Sequence, residues 1–230
     1  MIVDTEFEEQ RFASFFDKEP ETIDWIKTFK ANEIFYDIGA NIGVFSLFAA
    51  SLLKEIKVYS FEPVYHNFDK LCRNILANEY NNFVTPYSLA IGDENKVDVI
   101  NIVSNISGSA NHFITEDSEK KIEFKQGVFT SSLDQLVDCG LPVPNHIKID
   151  VDGYEERIIQ GAVGTIINNE VKSILIEITD TNNSRERIVG MMKNFGFNTE
   201  SPINFQNNHS KVRRIKSGNS HIENIIFTKN

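Results

Sequence analysis

Short apolar runs alternate with segments of helical spacing along most of this 230-residue chain. Runs rich in β-branched and aromatic residues predict strands, and apolar residues that recur every three or four positions predict helices. The predicted strands lie at residues 34–39, 57–63, 84–92, 146–152, 174–178 and 224–229. The predicted helices lie at residues 44–53, 65–78, 133–139, 154–167 and 185–195. Such alternation favours an α/β fold whose mostly parallel sheet is covered by helices on both faces.

Two parts of the chain depart from this alternation. Between Asp93 and Thr130, two β-type runs flank a polar stretch, which predicts a β-hairpin with a long tip, inserted after the third strand. Before Ile34, the apolar residues are spaced for one or two amphipathic helices. We therefore divide the chain into an N-terminal helical extension, residues 1–33, and one domain, residues 34–230. The extension is interpreted as a cover for the core, with a substrate lid as the alternative.

Composition limits the partners of the chain. The 33 acidic and 23 basic side chains give a net charge of −10, which repels a phosphate backbone and makes nucleic acid an unlikely partner. No apolar run approaches the roughly 20 residues that span a bilayer, and no targeting segment is visible, so we expect a cytoplasmic protein without a membrane span. The local basic stretch at residues 209–216 is interpreted as a solvated loop, or as a contact for an anionic acceptor.

The stretch "IFYDIGANIGVFS" marks the turn between the first strand and the next helix. Gly39 and Gly43 lack both the spacing of a dinucleotide fingerprint and the Lys of a P-loop, but glycines here permit positive φ and close approach of a ligand. Asp37 and Glu62 end the first two strands, and Glu62 can accept hydrogen bonds from ribose hydroxyls. Read separately, Asp37 is a solvated strand end and Glu62 a helix cap, with Pro63 at the first helical position. Together the two acids describe a pocket for a nucleoside bearing a cationic amino acid, S-adenosylmethionine.

Five motifs in order resemble the FkbM family of S-adenosylmethionine-dependent methyltransferases. They are "FYDIGANIGVFS", "VYSFEPVYHNFDKLCRNILANE", "VTPYSLAIGD", "SLDQL" and "HIKIDVDGYEERIIQGA", followed by "ILIEI". The resemblance implies a Rossmann-like class I methyltransferase fold, with a seven-stranded sheet whose last strand is antiparallel. It implies that the methionine part of the cofactor lies among Asp37, Gly39, Ala40, Asn41 and Gly43. It also implies that Glu62, next to Pro63, holds the ribose, and that Ser88, Leu89 and Ala90 border the adenine.

A base for the reaction is expected at the ends of the fourth and fifth strands. Alternation places Lys148, Asp150 and Asp152 on one face of the fourth strand, and Glu177 follows at a comparable height on the fifth. Three carboxylates that converge can share a proton, which raises one pKa enough to make a base. Asp152 stands where the family usually has Glu, so its charge is withdrawn by one methylene.

Other roles for these residues stay open. Asp150 or Glu177 can instead neutralise Lys148, whose ammonium needs a partner inside a sheet. Asp150, Asp152 and Glu177 could also hold Mg²⁺; the resemblance requires no metal, so we assign no metal ligand. His112, in the tip of the insert, is a further candidate base, and Ser107 and Ser109 are candidate substrate contacts.

The sequence thus predicts O-methylation of a hydroxyl on a sugar, a glycan or a small metabolite, with S-adenosylmethionine as cofactor. A methyltransferase for RNA or protein and a non-catalytic S-adenosylmethionine-binding module are the alternatives. A nicotinamide dehydrogenase is disfavoured by the glycine spacing and by Asp37, whose charge would face the pyrophosphate. The sequence indicates no oligomeric state.

Overall fold

The computed structural model describes residues 1–109, 122–180, 182–199, 215–217 and 220–229. The helices are α1 (Glu6–Ala13), α2 (Phe15–Lys18), α3 (Pro20–Ile26), α4 (Val44–Leu52), α5 (Tyr65–Ala77), α6 (Leu133–Asp138), α7 (Glu155–Gln160), α8 (Val163–Ile167) and α9 (Ser184–Asn194). The strands are β1 (Ile34–Ile38), β2 (Lys57–Phe61), β3 (Val84–Tyr87), β4 (Ala90–Ile91), β5 (Lys96–Ile102), β6 (Phe124–Ser131), β7 (His146–Ile149), β8 (Ser173–Asp180), β9 (Phe197–Asn198), β10 (Ile215–Ser217) and β11 (Ser220–Lys229).

The main sheet has the strand order β10-β11-β8-β7-β1-β2-β3, and the short strand β9 pairs with the end of β11. Neighbouring strands from β3 through β8 in this order are parallel, whereas β11 is antiparallel to β8. The predicted mostly parallel sheet and its antiparallel last strand are therefore confirmed. Because parallel strands all end at the same edge, the carboxyl ends of β1, β2, β7 and β8 meet there.

Helices cover both faces of the sheet, as the alternation predicted. Ile147, Ile149 and Ile176 pack on one face with apolar residues of α6 to α9. Phe35 and Leu175 point to the opposite face, where they pack with apolar residues of α3, α4 and α5. The strands are thus buried on both sides, which explains why their sequences read as continuous apolar runs.

Two predicted elements are divided in the structure. The run at 84–92 forms β3 in the main sheet and then β4, which leaves that sheet and pairs with β6. The insert is the predicted hairpin, since β5 and β6 are antiparallel, and with β4 it forms a second sheet of order β4-β6-β5. The helix predicted at 154–167 is broken at Gly161, where a Cβ would lie 2.1 Å from the carbonyl oxygen of Gly92. That close approach between distant parts of the chain is invisible in local periodicity.

The extension before β1 forms three helices, α1 to α3, rather than one or two. Trp25 and Ile26 on α3 are fully buried against the sheet, and the Trp25 indole N–H donates to Ser173 Oγ at the start of β8 (2.8 Å). The extension therefore shares the core with the sheet. None of the described helices has the length and apolar content needed to cross a bilayer.

Candidate functional site

The turn between β1 and α4 lies against the end of β7. The backbone N–H groups of Gly39 and Ala40 both donate to the Phe61 carbonyl, at 3.0 and 3.1 Å. Gly39 and Gly43 have φ values of +80° and +88°, as the sequence led us to expect. A Cβ on Gly39 would lie only 1.9 Å from the Asp150 carbonyl oxygen, so glycine is required for this close contact.

Glu62 lies just past β2, and only 4% of its surface is exposed. One carboxylate oxygen accepts from the Asn41 backbone N–H (2.8 Å), and the other accepts from the Val64 N–H (2.9 Å). Burial raises the pKa of Glu62 to about 7, although these hydrogen bonds and the charge of Arg11 act in the opposite direction. The carboxyl group is thus held rigidly on the wall of a cleft.

The expectation that Pro63 occupies the first helical position is wrong. Helix α5 begins at Tyr65 and is preceded by Val64, so Pro63 lies two residues before the helix. The bond from the Val64 N–H to Glu62 explains the displacement, because that carboxylate satisfies a free N–H at the helix start.

A cleft at the carboxyl ends of the strands brings together much of the predicted site. Eight predicted residues line it: Gly39, Asn41, Glu62, Pro63, Ser109, Asp150, Asp152 and Glu177. Ala40 and Gly43 belong to the same turn without lining the cleft. Ser88 is exposed, Leu89 is half-buried, and Ala90 packs with Val64 and Ile100 under the second sheet. The candidate His112 lies outside the described residues, as does most of the basic stretch at 209–216.

Asp37 lies beneath the turn rather than on the cleft wall. It is 1% exposed, and its Oδ2 accepts from the Ser46 hydroxyl at 2.5 Å. Its Oδ1 is buried without a hydrogen-bond partner among the described residues. Burial raises the pKa of Asp37, and Lys148 and Ser46 oppose that rise. Asp37 is therefore not the solvated strand-end residue that was considered from the sequence.

Three carboxyl groups converge around one buried lysine, and two of them, Asp150 and Glu177, form the floor of the cleft. Oxygens of Glu19, Asp150 and Glu177 lie within 4.8 Å of one another, so Glu19 takes the place expected for Asp152 in this group. Lys148 is 1% exposed and its Nζ lies 2.5 Å from Asp150 Oδ2. The alternative in which Asp150 neutralises Lys148 is thus observed, and it places an ion pair directly at the cleft.

The charges around Lys148 divide the carboxyl groups into different protonation states. Burial favours a neutral Asp150, but the charge and hydrogen bond of Lys148 outweigh burial and lower the pKa of Asp150. The negative charge of Asp150, followed by burial, raises the pKa of Glu177 to about 9. At neutral pH, Asp150 is therefore ionised and Glu177 carries a proton.

Several cleft residues were not found from the sequence. Arg11, Lys18, Val64 and Asn67 line the cleft, and Arg11 and Lys18 come from α1 and α2 of the extension. No motif marks Arg11 and Lys18, because they are separated from the strand ends by much of the chain, whereas Val64 and Asn67 belong to the second motif but were not singled out. Ser109, a predicted substrate contact, does line the cleft, and its carbonyl accepts from the Asn41 side-chain amide (2.9 Å).

The cleft fits S-adenosylmethionine by its donors and acceptors. Each Glu62 oxygen has one backbone N–H partner, so each retains a further acceptor position for a ribose hydroxyl. The sulfonium and ammonium charges of the cofactor match the carboxyl groups of the floor. The glycine turn lets the backbone approach a ligand closely.

Comparison with known proteins points to methyltransferases. The model of the methyltransferase FkbM domain matches residues 37–199. The hexuronic acid methyltransferase AglP of Haloferax volcanii is 26% identical over 148 residues, which cover 64% of this chain and 56% of that protein. The chain thus spans little more than half of this relative's length.

Solved structures share the fold at low sequence identity. Precorrin-6y C5,15-methyltransferase of Geobacter metallireducens has a TM-score of 0.54 and 16% identity, and the match covers 92% of this chain and 87% of that one. The methyltransferase FkbM of Methylobacillus flagellatus has a TM-score of 0.52 and 13% identity, covering 99% of this chain and 56% of that one. These matches identify the class I methyltransferase fold.

Proposed function

Because this chain belongs to the methyltransferase FkbM domain family and S-adenosylmethionine is its cofactor, we propose that it methylates a hydroxyl oxygen of a sugar, a glycan or another small metabolite. The observation that carries the proposal is the convergence of Glu62, Asp150 and Glu177 on one cleft beside the Gly39 turn. That cleft has a place for a nucleoside and, next to it, a group that can take a proton.

Glu62 is proposed to hold the ribose by accepting hydrogen bonds from both hydroxyls. The backbone around Gly39 and Asn41 lies beside it and borders the methionine part. When bound, the cofactor supplies a methyl group activated by the adjacent sulfonium. The contribution of the cleft is then to hold the acceptor oxygen in line with that methyl group.

Asp150 and Glu177 are proposed to act together on the acceptor hydroxyl. Asp150 is ionised at neutral pH and can accept the hydroxyl proton, whereas Glu177 carries a proton and can donate a hydrogen bond to the acceptor oxygen. A placed base of this kind contributes about 10²- to 10⁴-fold to a rate. Asp152, predicted as one of three carboxylates that share a proton, is exposed at the rim of the same cleft, where we propose that it contacts the acceptor.

The relative named as a hexuronic acid methyltransferase supports a sugar as the acceptor class. The acidic composition of the chain, with a net charge of −10, argues against a nucleic acid acceptor.

Calorimetric titration with S-adenosylmethionine and its demethylated product tests the cofactor site. We expect both to bind the native chain, NAD not to bind, and Glu62→Gln to weaken both sulfur ligands by about tenfold or more, because Gln has one acceptor oxygen where the carboxylate has two. Glu170→Gln, at an exposed carboxylate outside the cleft, is the matched control and should bind like the native chain.

Turnover tests the reaction itself. Uronic acids, neutral sugars and small hydroxylated metabolites are incubated with protein and S-adenosylmethionine, and formation of the demethylated cofactor is followed. We expect product with a sugar, and loss of at least about 100-fold in rate in Asp150→Asn. A folded native chain that binds no sulfur ligand would contradict the proposal, and tight binding without transfer to any acceptor would favour a non-catalytic binding module.

A further inference from the structure

The N-terminal extension contributes positive charge to a cleft that is otherwise lined by several carboxyl groups. Arg11, at the end of α1, and Lys18, at the end of α2, are the cationic side chains that line the cleft within the described residues. They line the same cleft as Asp150, Asp152 and Glu177. The charge of Arg11 also lowers the pKa of Glu62 and of Asp150, after the larger effects of burial and of nearer groups, so its guanidinium acts on both ends of the cleft.

Arg11 is held in a defined orientation. Its Nε donates to the Gly108 carbonyl at 2.6 Å. Gly108 is itself fixed, because its N–H donates to Asn67 Oδ1 (2.9 Å) and a Cβ on it would lie 3.2 Å from the Glu8 backbone and side chain. The Thr5 hydroxyl donates to the neighbouring Ser107 carbonyl (2.9 Å). The guanidinium plane is therefore oriented before any ligand arrives.

The terminal amino groups of Arg11 have no hydrogen-bond or ion-pair partner among the described residues. A guanidinium fixed through Nε keeps two parallel N–H groups, which match the two oxygens of a carboxylate. Among the described residues that line the cleft, Arg11 and Lys18 are the cationic side chains that attract such a group, and Arg11 offers it the paired N–H groups.

We propose that Arg11, assisted by Lys18, forms a subsite that binds a carboxylate of the methyl acceptor, so that the substrate class is anionic sugars. This rests on the proposed function. The cofactor also has a carboxylate, but Arg11 lies outside residues 37–199, which the family model matches. The parts of a chain that lie outside a shared cofactor-binding domain are where a variable acceptor is expected to be recognised.

The test uses methyl glucuronide and methyl glucoside as probes, two sugars that differ by one carboxylate. Their binding to the full chain is measured by NMR titration, with and without the demethylated cofactor product. We expect the native chain to bind the glucuronide at least about tenfold more tightly than the glucoside. Arg11→Met should abolish this preference, Arg11→Lys should retain part of it, and Arg73→Met, at an exposed arginine outside the cleft, should leave it unchanged.

Binding of S-adenosylmethionine and of its decarboxylated analogue distinguishes the two sources of the carboxylate. If Arg11 binds the acceptor carboxylate, Arg11→Met changes the affinity for S-adenosylmethionine and for its decarboxylated analogue by the same factor. Weaker binding of S-adenosylmethionine alone would assign the carboxylate to the cofactor and overturn the proposal. So would a native chain without preference for the glucuronide, or a preference retained in Arg11→Met.

Failure of this proposal is separable from failure of the proposed function. A native chain that binds S-adenosylmethionine but shows no sugar preference would contradict the subsite only. A chain that binds no sulfur ligand would contradict the methyltransferase proposal. The preference for methyl glucuronide over methyl glucoside, measured without cofactor, would still test the role of Arg11. Should Arg11→Met not fold, the same comparison is made with Arg11→Lys, in which the charge remains and the parallel N–H groups are lost.

Discussion

The carbonyl oxygen of Asp150 explains why residue 39 is a glycine. The turn after β1 passes so close to the end of β7 that no Cβ fits at residue 39, and its φ of +80° also disfavours any other residue. This contact sets the distance between the turn proposed to border the cofactor and the carboxyl groups of the cleft floor. One backbone contact therefore positions both halves of the site.

Substitution of Gly39 by Ala should destabilise the fold and abolish cofactor binding. The clash is with backbone, which cannot rotate away, so we expect a loss of at least about 2 kcal/mol in the free energy of unfolding. Gly190→Ala is the matched control, since nothing lies within 4 Å of its added Cβ in α9, and it should be neutral or stabilising by up to about 1 kcal/mol. Urea denaturation gives both values, and equal stabilities for the two variants would contradict the explanation.

The acids and glycines of the site were predictable because they follow strands. Gly39, Glu62 and Asp150 each stand just past a strand, Glu177 lies within β8 near its end, and parallel strands bring those ends to one edge. Arg11 and Glu19 were not predictable in the same way. Arg11 reaches the cleft, and Glu19 reaches the carboxyl cluster, only because the extension folds over the sheet. That arrangement depends on contacts between residues far apart in the chain.

At the scale of elements, α1 is fastened to α5 by a buried charge pair. Glu8 has no exposed surface, and one of its carboxylate oxygens lies 3.0 Å from the Lys70 ammonium, which is itself 3% exposed. Asp4 contacts the same ammonium at 2.6 Å. Thr5 and Glu8 also complete a capping box at the start of α1. The position of Arg11 on this helix depends on these contacts.

Removal of the lysine should detach α1 from the core. Lys70→Met leaves the buried Glu8 carboxylate without its buried counter-charge, so we expect a loss of about 2 kcal/mol or more in stability and faster proteolytic cleavage before residue 20. Lys27→Met removes a lysine whose pair with Asp24 is about half exposed, and it should cost less than about 0.5 kcal/mol. Unchanged protease resistance in Lys70→Met would show that α1 is held in another way.

The sequence predicted most elements but not the division of the third strand. Residues 84–92 read as one apolar run, yet the chain changes sheets between Tyr87 and Ala90. The side chain of Ala90 packs under the second sheet, against residues contributed by the insert. A partner that is supplied by a later hairpin leaves no trace in local periodicity, which is why one strand was expected.

At the scale of the whole molecule, one buried network joins the extension to the amino ends of strands β7 and β8, the ends that lie away from the cleft. His146 Nε2 lies 2.9 Å from Glu33 Oε2, and His146 Nδ1 lies 2.7 Å from Ser173 Oγ. Trp25 of α3 donates to the same Ser173, and Lys172 contacts Glu33 at 2.6 Å. These bonds are consistent with a neutral imidazole, and burial indeed lowers the pKa of His146.

Stability should fall in acid because of this network. Burial favours a neutral Glu33, but hydrogen bonds from His146 and Lys172 outweigh it and bring the pKa of Glu33 from 4.5 to about 2. A carboxyl group whose pKa is lowered by folding stabilises the native state above its unfolded pKa, and that contribution is lost as the pH falls towards 2. The lowered pKa of His146 acts in the same direction, starting near its unfolded value of 6.5.

The prediction is checked by measuring the free energy of unfolding from pH 7 to about pH 3. Native protein should lose stability steeply below about pH 5, whereas Glu33→Gln should start less stable and lose less over the same range. Glu170→Gln, at an exposed carboxylate, should follow the native curve. Parallel curves for the native chain and Glu33→Gln would exclude Glu33 as a source of acid sensitivity.

Asn41 forms hydrogen bonds both to Glu62 and to the insert, and it thus connects two parts of the chain that line the cleft. Its backbone N–H donates to Glu62, and its side-chain amide donates to the Ser109 carbonyl of the insert. Displacement of Ser109 would therefore disturb the residue whose backbone N–H holds the Glu62 carboxyl group in place. With the ribose held by Glu62 as proposed, release of the spent cofactor should depend on the contact between Asn41 and Ser109, so that one hydrogen bond away from the reacting atoms would set the time that each turnover takes.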